Sequence, residues 1–100
     1  MKPLGTHNYF VYILTNKFKT VLYTGVTNNI KNRLFFHQNS SKEHFATKYR
    51  CFYLIYYERF QFIEQAIFRE KQIKKWNKAK KEALINELNP NWMFLNEQIG

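Results

Sequence analysis

The chain has 100 residues, room for one modest core and not two, and its 45% apolar and 19% aromatic content argues against disorder. Sixteen Lys/Arg against seven acidic residues give a formal charge of +9, the footprint of a nucleic-acid partner unless AT-rich coding alone has inflated the lysines. All seven acids are Glu and only three glycines occur, which excludes Asp-based two-metal clusters, Ser-His-Asp chemistry and a Gly-rich phosphate loop.

Met1 to Gly5 shows no signal-peptide core, and no apolar run approaches the ~20 residues of a membrane span. The expectation is one soluble, cytoplasmic domain over residues 1–100, with its core at about 8–95, no membrane contact and no obligate protein partner. Residues 9–15, Tyr-Phe-Val-Tyr-Ile-Leu-Thr, are β-branched and aromatic and predict a strand. Asn16 to Thr20 is a polar turn, and residues 21–26, Val-Leu-Tyr-Thr-Gly-Val, predict a second strand, antiparallel to the first. Thr27, Asn28 or Asn29 caps a helix over about 29–38, with Ile30, Leu34 and His37 on one face. Residues 38–48 read as a polar loop. Residues 50–58 predict a third strand, with Cys51, the single cysteine, as a buried small side chain. His7, His37, His44 and Cys51 lack zinc-ligand spacing.

A helical segment follows from about Phe60 to Trp76. Asn77 caps another that ends near Asn89, where Pro90 stops it. The tail carries Trp92, Phe94, Leu95 and Ile99, apolar residues expected to dock on the core. The predicted class is α/β of the α+β type: a small three-stranded, antiparallel-containing sheet flanked by helices.

Within the segment from Ile63, Ala66, Ile67 and Ile73 form one apolar stripe with Ile63, and Glu70 falls inside it. A carboxylate there is costly unless a cation compensates it; the bland alternative is that Glu70 only edges the core. Seven positive charges fall between Arg69 and Lys81. If the helix is continuous, Lys71, Lys74, Lys75, Lys78 and Lys81 share one flank, either a solvated face or a phosphate-binding one. Arg33 and His37, four apart, share a face of the earlier helix. Taken singly, His37, Tyr12 and Tyr23 read as structural residues.

In combination these residues resemble the GIY-YIG endonuclease family, specifically its small stand-alone bacterial members. Phe10-Val11-Tyr12 stands for the first motif and Tyr23-Thr24-Gly25 for the second, with the tyrosines 11 apart. Arg33 follows Tyr23 by ten, His37 comes four later, and Glu70 matches the metal-binding glutamate. The likeness spans about residues 8–95. Two departures stand out: the first motif keeps only its tyrosine, and Val26 replaces a lysine found in the DNA-repair branch, whose role would pass to another residue such as Lys31. A late family asparagine corresponds to Asn77, Asn86 or Asn89.

The resemblance implies DNA cleavage, DNA rather than RNA, with one Mg²⁺ (or Mn²⁺) held by Glu70 and waters, in a DNA-repair setting. Tyr23 would take the proton of the attacking water, aided by the positive charge of the metal and Arg33. Arg33 would also neutralise the developing phosphorane charge, while Tyr12 and His37 orient the nucleophile or the phosphate. Lys31, Lys71, Lys74, Lys75, Lys78 and Lys81 would hold the backbone without reading sequence. The rival readings are a non-catalytic nucleic-acid-binding module of the same fold, a metal-independent ribonuclease using His37 and His44, and a protein-interaction domain.

Overall fold

The computed structural model describes residues 8–39 and 48–99, with side chains over 8–36 and 48–98. His7, His44 and most of the polar loop read at 38–48 lie outside the described residues, as do the side chains of His37 and Ile99. The elements run β1 (Tyr9–Thr15), β2 (Leu22–Thr27), α1 (Ile30–Asn39), β3 (Tyr53–Phe60), α2 (Ile63–Lys74), α3 (Lys78–Leu88) and a closing 3-10 turn (Asn96–Ile99). The three strands make one antiparallel sheet in the order β2-β1-β3.

β1 is central because it can be apolar on both faces, and Val11 to Thr15 are all buried. The turn from β1 to β2 is stapled by Asn16. Its Oδ1 accepts from the amides of Thr20 (2.8 Å) and Val21 (3.2 Å), and its Nδ2 donates to the Thr20 hydroxyl (2.8 Å). α1 is capped by Asn29, whose Oδ1 accepts from the Asn32 amide at 3.0 Å.

Alternation along the strands makes two cores. Val11 and Ile13 face α2 and α3 and pack with Ile55, Tyr56, Ala66, Ile73 and Ile85. Tyr12 and Leu14 face the other way and pack with Ile30, Cys51, Leu54 and Leu95. Pairing slips between Ile13 and Leu14, where β3 carries one extra residue. That bulge lets Ile55 and Tyr56, adjacent in sequence, join the same core.

The third strand starts and ends later than the sequence indicated, at Tyr53 and Phe60. Arg50 takes a left-handed backbone (φ 58°), so the chain enters the sheet only after Cys51 and Phe52. Polar Glu58 and Arg59 continue the pairing against Val11 and Phe10. The helical segment ends at Lys74, just before Asn77, where the sequence placed the cap of a second helix. The amides of Lys75 and Trp76 close on Gln72 and Ile73, and Asn77 then caps α3 by accepting from the Lys80 amide at 2.8 Å. Lys78 and Lys81 therefore belong to a different helix from Lys71 and Lys74, so the continuous helix on which a single lysine flank depended is not formed.

The tail docks as expected through Leu95, whose amide donates to Leu54 O at 2.7 Å. Asn96 bridges the Leu54 amide and Phe52 O.

Candidate active site

Tyr12 and Gly25 are paired across β1 and β2. A Cβ built at Gly25 would overlap the Tyr12 hydroxyl and lie 2.9 Å from Cε2 of the same ring. The glycine is there so that the Tyr12 phenol can lie flat across β2, and its role is clearance rather than backbone freedom. Tyr23, two residues earlier on the same face, sets its ring 6.4 Å from that of Tyr12, tilted by 48°.

The Tyr12 hydroxyl is held well above a phenol's ordinary pKa. Burial is the main cause, the neighbouring Tyr23 and Glu70 add to it, and Arg33 opposes it. Tyr12 therefore keeps its proton and can donate a hydrogen bond from its hydroxyl. The charges of Arg33 on α1 and Glu70 on α2 are thus both felt at the Tyr12 hydroxyl. Arg33 is half-buried, with its guanidinium 5.4 Å above the Phe36 ring.

Glu70 is embedded, as the stripe implied: its side chain is 13% exposed. Ala66 and Ile73 on that helix are fully buried, but Ile67 is 38% exposed, so the stripe is narrower than the spacing suggested. Compensation comes from Lys74, one turn on, whose Nζ lies 2.9 Å from Glu70 Oε2. The same ammonium sits 5.9 Å above the Tyr23 ring. Lys74 is thus a lysine that the structure brings to Tyr23. Lys31 is exposed beside Asn8, Phe10 and Asn29, at the Thr27 end of β2. Four residues of strand separate that end from Tyr23, about 13 Å. Val26, at the position of the repair-branch lysine, packs into the Val11–Ile13 core.

Of the other lysines, Lys71 and Lys75 are exposed, Lys81 is half-buried, and Lys78 donates to Thr20 O at 2.8 Å. The backbone of His37 follows Arg33 by one turn of α1. The late asparagines each have a local task. Asn77 caps α3, and Asn86 accepts from the Trp92 indole at 2.6 Å. Asn89, buried, ties β3 to the tail by donating to Ile55 O (2.9 Å) and Met93 O (2.8 Å) and accepting from the Met93 amide (3.0 Å).

Sequence reasoning missed an ion-pair cluster on the opposite face. Arg69 donates to both carboxylate oxygens of Glu58 at 2.9 Å, Tyr56 donates its hydroxyl to Glu58 Oε2, and the Arg69 guanidinium lies 5.2 Å from the Trp76 ring. This cluster fastens α2 to β3 and takes Glu58 out of contention as a ligand. Among the described residues, no group of three or more His, Cys, Asp or Glu gathers to hold a metal. A hard divalent cation that keeps most of its waters needs only one or two carboxylates, a requirement that Glu70 could meet.

Among the described residues, a three-stranded antiparallel sheet with three helices carries a pair of tyrosines on adjacent strands, the arrangement of a nuclease-like domain. The chain belongs to the GIY-YIG family: the model of the GIY-YIG catalytic domain matches residues 8–83. It is 30% identical over 82 residues to a UPF0213 protein of Bacillus pumilus, covering 82% of this chain and 83% of that one. A UPF0213 protein of Staphylococcus saprophyticus is 33% identical over 79 residues, or 79% of this chain and 95% of that one. The solution NMR structure of a UPF0213 protein from Bacillus halodurans superposes with a TM-score of 0.54 at 26% identity, covering 85% of this chain and 89% of that one.

Proposed function

We propose that this protein is a divalent-metal-dependent endonuclease that hydrolyses DNA phosphodiester bonds, leaving 5′-phosphate and 3′-hydroxyl ends. The observation that carries the reading is the Tyr12–Tyr23 ring pair over the clearance made by Gly25. The charges of Arg33 from α1 and Glu70 from α2, which act on the Tyr12 hydroxyl, support it. Water adds to phosphorus, the bond to the 3′-oxygen breaks, and that oxygen takes up a proton from solvent as it leaves. Tyr23 receives the proton of the attacking water on its hydroxyl oxygen and relays its own to solvent. Tyr12, kept protonated, donates a hydrogen bond that orients the water or the scissile phosphate. Arg33 offsets the negative charge that builds on the phosphate oxygens. Glu70 would hold a magnesium or manganese ion, which when bound stabilises charge on the phosphate and the departing oxygen.

The Glu70–Lys74 pair favours a second reading. The carboxylate has a protein cation already, which a non-catalytic DNA-binding module would also show. Cleavage time courses in Mg²⁺ on duplex, branched and single-stranded DNA and on RNA decide between the two. Glu70→Gln is nearly isosteric and should retain the fold by circular dichroism while losing about 10²–10³-fold in rate. Tyr23→Phe should lose a comparable factor. A folded Glu70→Gln protein that cuts at the wild-type rate overturns the mechanism. A wild type that cuts nothing in Mg²⁺ supports the binding module.

A further inference from the structure

A second feature lies at the end of the sheet where Thr15, Leu22 and Tyr53 stand side by side. The β1–β2 turn and the segment entering β3 enclose a hollow of about 200 Å³, lined by the rings of Phe18, Tyr49, Phe52 and Tyr53 with Lys17 and Arg50 between them. Tyr53 continues the aromatic surface by stacking on Phe94 at 4.3 Å. Cations overlie these rings: Lys19 on Phe94 at 5.3 Å, Lys48 on Tyr49 at 5.5 Å, Arg50 on Phe52 at 5.9 Å. Phe18 is 77% exposed, which no core explains. Residues 16–23, 48–55 and 91–96, which build the surface, contain no acid.

We infer that this hollow is a platform for single-stranded nucleic acid, its rings stacking bases while Lys17, Lys19, Lys48 and Arg50 hold phosphates. The inference rests on the nucleic-acid reading above and adds a substrate class: DNA with an unpaired segment beside the bond that is cut. Base stacking on exposed rings within a cationic groove needs no sequence and no duplex. Charge leads from the platform to the candidate active site, through Lys78 at Thr20 and Lys74 at Tyr23. Backbone strain falls beside the hollow at Lys19 and Arg50, both non-glycine residues with positive φ. A second copy is a poor occupant, since a two-fold interface here would set like charges against each other.

The test is fluorescence anisotropy in chelator, with a labelled oligothymidylate and its duplex with oligoadenylate. Phe18→Ala and Tyr49→Ala should each weaken single-strand binding about tenfold and leave duplex binding within about twofold. Unchanged single-strand affinity, or equal loss on both ligands, overturns the platform. So does binding of phosphatidylserine vesicles, but not of oligonucleotide, that the same variants abolish. A dimer in sedimentation that Phe18→Ala dissolves also overturns it, by giving the surface to another copy. Chelator removes cleavage from the measurement, so the platform stands or falls separately. A wild type that binds single strands through these rings but cuts nothing in Mg²⁺ sinks the nuclease reading alone.

Discussion

Gly25 and Tyr12 act as a single unit. The glycine exists as space for a phenol that is itself 2% exposed and has no room to retreat. Gly25→Ala should therefore behave like overpacking of a core, costing about 1–3 kcal/mol in urea denaturation and displacing the Tyr12 hydroxyl from its neighbours. A variant with the wild-type midpoint would show that the ring can move aside. Glu58 tests a different residue-scale claim. Burial alone would raise its pKa, but hydrogen bonds from Arg69 and Tyr56, together with the Arg69 charge, hold it below the usual carboxylate value of 4.5. A carboxyl whose folded pKa is depressed contributes stability that is full above the unfolded value and fades as pH falls through the folded one. Stability should thus drop on acidification from about 4.5 downward. Glu58→Gln should be less stable at neutral pH and flatter through that window. Parallel pH profiles of wild type and variant would refute the linkage. Lys74 shows how one side chain can serve two neighbours, pairing with Glu70 while its ammonium lies over Tyr23.

Two helices and the tail hold the sheet through polar ties as well as apolar cores. Asn89 is the clearest case at this scale, since its buried amide satisfies Ile55 O, Met93 O and the Met93 amide. Asn89→Ala leaves those groups without partners and should cost about 1–3 kcal/mol, read as a lowered melting temperature. Loss of less than a few tenths would mean the tail is held by Leu95 and Asn96 alone. Much of this architecture was legible in the chain. The β-branched and aromatic run of residues 9–15 and the turn at Asn16 located the β1–β2 hairpin to within a residue, and Asn77 announced α3. Glu70 stood out because a charge interrupted an apolar stripe, and it is embedded. β3 was read too early because the apolar run from Cys51 set its start and polar Arg59 closed it, although Arg59 and Phe60 pair with β1. Lys74 read as one of several flank lysines, since spacing along a helix does not reveal a tyrosine on a neighbouring strand. The aromatic platform was invisible for the same reason: a turn, the start of a strand and the tail meet only in space.

At the scale of the whole molecule, a chain of formal charge +9 is folded around two apolar clusters, one on each face of a three-stranded sheet. Neither cluster includes a candidate metal ligand, and among the described residues no helix is long and apolar enough to cross a membrane. Chelation should therefore leave the fold intact. The carboxylate that would take a metal is already neutralised by Lys74, so removing the ion exposes no uncompensated buried charge. A structural metal behaves otherwise, because its binding free energy is folding free energy. The expected result is a melting temperature in excess EDTA equal to that of metal-free buffer. Added Mg²⁺ or Mn²⁺ should raise it only by mass action, about 1 kcal/mol at roughly four times the dissociation constant. Glu70→Gln should melt near the wild type in EDTA, because it removes a charge and its partner Lys74 is half in water. The same variant should lose the increment from metal, which separates loss of ion binding from loss of fold. A fall of many degrees on chelation would show that the cation is part of the core. An equal rise with Mg²⁺ in wild type and Glu70→Gln would show that the ion binds elsewhere.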